Sequence, residues 1–133
     1  MSHSSEYLRA GYAGDLTTLR TLHLLAGFAS NQEAAHACLV SPETYRRWRT
    51  DRRPNPTAIR LLAILGGYVP WRGWENWEVH GGLLFPPGYS RHGIAPGDIL
   101  ALPFLHQLLG EYRRQLRLAE CDRLSQAPDR ARP

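Results

Sequence analysis

Between Asn31 and Trp48 the chain reads N-Q-E-A-A-H-A-C-L-V-S-P-E-T-Y-R-R-W. Asn31 can cap a short helix over Gln32 to Leu39, whose inner face is Ala34, Ala35 and Cys38. Side chains this small let a second helix cross closely. Val40 is apolar, and Ser41-Pro42 restarts a helix. The serine hydroxyl accepts from a first-turn amide, and proline at the first helical position gives up an N–H that has no intrahelical partner anyway. This second helix, 42–50, stops before Arg52-Arg53-Pro54-Asn55-Pro56, where two prolines break the ladder. Tyr45 and Trp48 lie three apart, so they share one helical face and pack inward with Ala35 and Val40. That rotation turns Glu43, Thr44, Arg46 and Arg47 away from the core.

Further helices flank this pair. Asp15 can cap a helix carrying Leu16, Leu19, Leu22, Leu24 and Leu25, closed by Gly27. Thr57 to Leu65 offers Ile59, Leu62, Ala63 and Leu65 to a core before Gly66-Gly67. Residues 15–67 therefore form a helix-turn-helix domain, preceded by a flexible arm, 1–14. In 68–98, Trp71, Trp74 and Trp77 come three apart, and Val79 to Phe85 reads strand, glycine turn, strand. Residues 99–125 read as a C-terminal helix, with Leu105, Leu108, Tyr112, Leu116 and Ala119 at three-four spacing. The tail 126–133 is expected to be disordered. The predicted class is mainly α: four to five short helices in a helix-turn-helix bundle, then a small β-hairpin or loop segment and a C-terminal helix.

The 16 basic residues are all arginine, and the net charge is +4. From Ser41 to Arg60 lie Arg46, Arg47, Arg49, Arg52, Arg53 and Arg60 against only Glu43 and Asp51, a surplus equal to that of the whole chain. Such a stripe on an otherwise balanced protein is the footprint of a nucleic-acid partner, although a solvated charged face has the same composition. Arginine also suits bidentate bonds to phosphate and guanine.

The segment Val40-Ser41, Thr44, Tyr45, Trp48 and Arg52-Arg53-Pro54, with the helix Thr57 to Leu65 after it, resembles the lambda-repressor-like, Cro-type helix-turn-helix proteins. About 50 of the 133 residues carry the likeness. More loosely, the whole chain resembles small phage-encoded or prophage-encoded regulators in which such a module precedes a tryptophan-rich part. Two positions depart from the pattern: Leu39 stands where the turn usually has glycine, and Arg49 where an acidic residue follows the tryptophan. The resemblance implies a transcriptional regulator that reads double-stranded DNA through the major groove with the helix at 42–50. Glu43, Thr44, Arg46 and Arg47 would then contact bases. Gln32, Arg49, Arg52, Arg53 and Arg60 would hold phosphates.

No Ser-His-Asp arrangement, phosphate-cradling glycine loop, carboxylate pair or metal-ligand spacing stands out, so no enzyme, cofactor or metal is expected. Cys38 and Cys121 are expected to be unpaired thiols. No apolar run of membrane-spanning length and no secretory leader pattern is read, which points to the cytoplasm of a bacterial or phage-infected cell. The stripe on the C-terminal helix either folds back on the helical domain or joins a second copy as a homodimer. Two other functions fit the same residues. One is a protein-interaction module using Trp71, Trp74 and Trp77; the other is a DNA-binding replication or packaging factor.

Overall fold

The computed structural model describes residues 3–51, 53–88 and 91–130. The chain divides between Ala95 and Pro96 into two units. The first holds five short helices, α1 (His3–Tyr12), α2 (Leu19–Leu25), α3 (Asn31–Ala37), α4 (Pro42–Asp51) and α5 (Pro56–Leu65), then a hairpin of β1 (Glu78–His80) and β2 (Leu83–Phe85). The second is one helix, α6 (Pro96–Arg130). The mainly helical class with a small hairpin and a C-terminal helix is as read from the sequence.

The segment expected as a loose arm is α1, and this is a correction. Leu8 is 1% exposed and joins Leu22, Ile59 and Leu62 in the core. Gly11 lets α1 close on α2: a Cβ there would stand 2.5 Å from Leu22 Cδ1. One buried leucine and one glycine give too sparse a pattern for periodicity to detect.

Asp15 caps as expected, but it starts a 3-10 turn, Leu16–Thr18, that leads into α2. Its Oδ1 accepts from the Thr17 amide at 3.0 Å and from the Thr17 hydroxyl at 2.6 Å. These two bonds hold the exposed Asp15 carboxyl below its ordinary pKa. Within α2 the inward positions are Leu19, Leu22 and His23, while Leu24 is 76% exposed. On α5, Ile59, Leu62 and Ala63 are buried as read, and Leu65 is exposed. Asn55 caps this helix through the Thr57 amide at 2.9 Å, with Pro56 in its first turn.

After Gly66 the chain turns back on the bundle. Gly81 and Gly82, both at positive φ, make the two-residue turn that joins β1 to β2. Glu78 faces Phe85, Val79 faces Leu84 and His80 faces Leu83. Gly67 lies flat against β1: its carbonyl accepts from Val79 N at 2.8 Å, and its φ is +123°. A Cβ at Gly67 would stand 2.3 Å from the Val79 carbonyl oxygen.

α6 starts at Pro96, earlier than the expected 99, and passes through Pro103, which lacks an N–H for the ladder. It continues to Arg130, so residues 126–130 of the expected disordered tail are helical. Between Glu111 and Ala127 no glycine or proline stops it, and the pairs Glu111–Arg114 and Glu120–Arg123 support it at i,i+3 spacing. Residues 131–133 lie outside the described residues. No helix is long and apolar enough to cross a membrane among the described residues.

Gly67→Ala is expected to destabilise the protein by at least about 2 kcal/mol, since it combines a backbone clash with a strained φ. Gly97→Ala, in a helix with open space around it, is expected to be neutral or stabilising by up to about 1 kcal/mol. Urea denaturation of the two variants beside the parent chain tests the contrast.

Candidate nucleic-acid interface

The candidate interface is built on α3 and α4. Ser30, not Asn31, caps α3, with Ser30 Oγ accepting from the Glu33 amide at 3.2 Å. Ser41 caps α4 as its sequence suggests, accepting from the Thr44 amide at 3.1 Å. The turn between the two helices needs one left-handed residue, and that residue is Leu39, at φ +58° and 89% exposed. A bend that glycine would make freely is thus imposed on a leucine. The Val40 amide closes the turn on Ala35 O at 3.0 Å.

Tyr45 fixes the rotation of α4. It is fully buried in the same cluster as Ala34 and Ala35, and Val40 and Trp48 pack against that cluster, half-buried. Its hydroxyl lies 2.7 Å from Nδ1 of His23 on α2. Burial is the main cause of both groups' shifts. It pushes the Tyr45 hydroxyl up to about 12, with nearby Cys38 adding to the rise. It holds His23 below its ordinary value, helped by the Arg49 charge. Burial likewise raises the Cys38 thiol. The His23–Tyr45 pair is therefore neutral at neutral pH.

With Tyr45 and Trp48 inward, the 100° step of the helix puts Glu43, Arg46 and Arg47 on the outer face. All three are exposed. Arg46 Nη2 donates to Glu43 Oε1 at 3.1 Å, an exposed pair of small worth that a ligand can displace. Arg47 has no hydrogen-bond or ion-pair partner among the described residues. Thr44 lies on the flank, half-buried, with its hydroxyl 2.8 Å from Ser41 Oγ, so it serves the cap.

The arginines expected on phosphates divide into two sets. Arg53 is exposed, as is Gln32 in the first turn of α3. Arg49 and the exposed Arg60 also make contacts within the fold. Arg49 Nη1 donates to Asn31 Oδ1 at 2.5 Å, tying α4 to the start of α3. Arg60 Nε donates to the Tyr12 carbonyl at 2.8 Å, and its guanidinium lies 4.9 Å from the Tyr12 ring centroid. Tyr12 in turn stacks on Tyr68 with centroids 4.4 Å apart. Arg52 lies outside the described residues.

His23 was missed in reading the sequence. Its spacing from Leu19 and Leu22, i+4 and i+1 on the inward side of α2, is the signal that would have found it. Among the described residues no group of His, Cys, Asp or Glu is arranged to hold a metal ion.

The tryptophans divide as well. Trp77 is half-buried and meets Trp74 edge-on at 4.9 Å, while Trp71 is 68% exposed. Trp71 and Trp77 help line a cleft of about 440 Å³ between α1 and the segment before β1. Arg9 Nη2 donates to Asn76 Oδ1 at 2.8 Å, and Ser5 bonds to Glu78, so polar contacts tie this segment to α1. On α6, Leu105, Leu108, Tyr112 and Leu116 are all exposed.

Two outcomes follow from this geometry. Leu39→Gly is expected to stabilise the protein by about 1 kcal/mol in urea denaturation, by removing the left-handed strain. Because folding lowers the His23 pKa, the unfolded chain takes up a proton before the native one does. Stability is therefore full above pH 6.5 and is lost as pH falls from there toward the depressed native value. Measured at pH 7.5 and 5.5, the parent chain should lose more stability than His23→Gln, which does not titrate; equal losses would remove His23 as the cause.

Comparison with protein-family models, with curated proteins and with solved structures gives no match.

Proposed function

We propose that this chain binds double-stranded DNA sequence-specifically, with the outer face of α4 in the major groove, as a transcriptional regulator of phage or prophage type. The observation that carries the reading is the rotation of α4. Tyr45 and Trp48 anchor one face, leaving Arg46, Arg47 and Glu43 side by side on the other. A ten-residue helix is about 15 Å long, and with its side chains it fits a groove about 12 Å wide. Arg47, without a competing partner, is the first candidate for a bidentate bond to guanine. Arg46 follows once it leaves Glu43, whose carboxylate can then accept from cytosine N4. Arg53 and Gln32 contact phosphates, while Arg49 acts indirectly by holding α4 on α3. Such a role belongs in the cytoplasm. A replication or packaging factor would use the same surface on DNA in the same way.

A second reading rests on Trp71, whose exposed indole borders the cleft beside α1. A large exposed aromatic at a cleft fits a protein partner. The two readings separate by where damage falls.

Binding is measured by fluorescence anisotropy, on duplexes selected from a random pool, across a salt series. Arg47→Ala should weaken binding to the selected duplex about ten- to a hundredfold and relax its sequence preference. Arg53→Ala should weaken all duplexes alike and lower the salt slope by about one. Trp71→Ala should change neither. Motif-free binding that ignores Arg46→Ala and Arg47→Ala would sink the DNA reading.

A further inference from the structure

The second unit carries a seam that the DNA reading does not use. On α6 the residues Leu102, Leu105, Leu109, Tyr112, Leu116 and Ala119 follow a strict three-four alternation, and all six are exposed. This is the heptad spacing of a left-handed coiled coil, in which a partner helix tracks the stripe over its whole length. Eighteen residues span about 27 Å. Among the described residues no helix of the first unit exceeds ten residues, or about 15 Å, so none of these can accompany the seam end to end. A second α6 can.

Charge decides the direction. Asp98 and Arg123 continue the same heptad one step beyond each end of the seam. Parallel pairing would set Asp98 against Asp98 and Arg123 against Arg123. Antiparallel pairing about a two-fold axis between Gly110 and Glu111 sets Asp98 against Arg123 of the second copy at both ends. Between those ends Leu102 meets Ala119, Leu105 meets Leu116, and Leu109 meets Tyr112, so no charged layer interrupts the seam. The opposed helix dipoles also align favourably. Arg123 already leans on Glu120 at 2.8 Å, an exposed pair that a better partner can displace. We infer that α6 is the dimerisation element of this chain: two copies form an antiparallel coiled coil over 102–119, closed at each end by an Asp98–Arg123 pair. The two Pro96 residues then stand 29 helical positions apart, about 43 Å, one at either end of the rod.

The inference is independent of the DNA reading and is tested on the full chain without DNA. Sedimentation equilibrium at micromolar concentration should give about twice the 15.1 kDa chain mass. Arg123→Asp should weaken the dimer about tenfold, since it turns two attractive contacts repulsive, and adding Asp98→Arg should restore it. The exposed Cys121 supplies a label site once Cys38 is replaced by serine. Spin labels there should lie about 30–40 Å apart in the antiparallel dimer and under about 20 Å in a parallel one. A monomer over the whole concentration range would overturn the inference. So would the short distance, or a double variant as weak as Arg123→Asp alone.

Discussion

The hydrogen bond between Tyr45 and His23 is the constraint on which the first unit turns. A phenol with none of its surface exposed must satisfy its hydroxyl inside the protein, because an orphaned buried polar group costs about 1–3 kcal/mol. The partner is Nδ1 of His23, so Tyr45 has one place to sit and α4 has one rotation about its axis. Rotating the helix by one residue would expose the ring and turn one of Arg46 and Arg47 inward. The outward face of α4 is therefore set by what lies beneath it. Among the described residues no buried side-chain polar atom is left without a partner.

Much of this architecture could be read from the sequence because its signals are local. Ser41-Pro42 combines a cap with a residue that cannot continue a preceding helix, so the start of α4 stands out, whereas Asn55, read only as part of the proline break, caps α5 at Pro56, one residue before the expected start. Gly81-Gly82 between apolar runs marks the hairpin in the same way. The signals that failed are those that depend on tertiary contact. α1 is held by Leu8 and by the absence of a side chain at Gly11, neither of which has a period. His23 is polar and so drops out of any hydrophobic count, although its depth equals that of a core leucine.

The candidate interface was legible only in part, for a related reason. Helical spacing separates Tyr45 and Trp48 from Arg46 and Arg47 without any knowledge of the neighbours. Charge counting has no such resolution. It gives Arg49 and Arg60 the same weight as Arg47 and Arg53. Yet Arg49 is clamped to Asn31, and Arg60 lies over Tyr12, where its stem and guanidinium join α5 to the end of α1. The likeness to the lambda-repressor-like pattern shares this limit, because it assigns roles by position along the chain. Thr44 shows the same effect: its hydroxyl belongs to the cap of its own helix.

With Arg49 and Arg60 each tying two helices together, Arg46, Arg47 and Arg53 are the exposed described cations of the stripe that make no such tie. On the proposed DNA reading, three cations would release few counterions, so the sequence-independent part of binding by one module would be small. A lone module would then gain selectivity from its few base contacts and little affinity from phosphates. Joining two modules changes that balance, because once one is seated the second binds at a raised effective concentration. The stiffness of the joint then matters. A paired helical rod fixes the separation of its own two ends. In the proposed dimer the attachment points at Pro96 are set about 43 Å apart by the seam of α6, a span longer than the roughly 34 Å of one DNA turn. If both proposals hold, the register of Leu102 to Ala119 fixes the separation of those attachment points, while the proposed base contacts lie on α4 in the other unit.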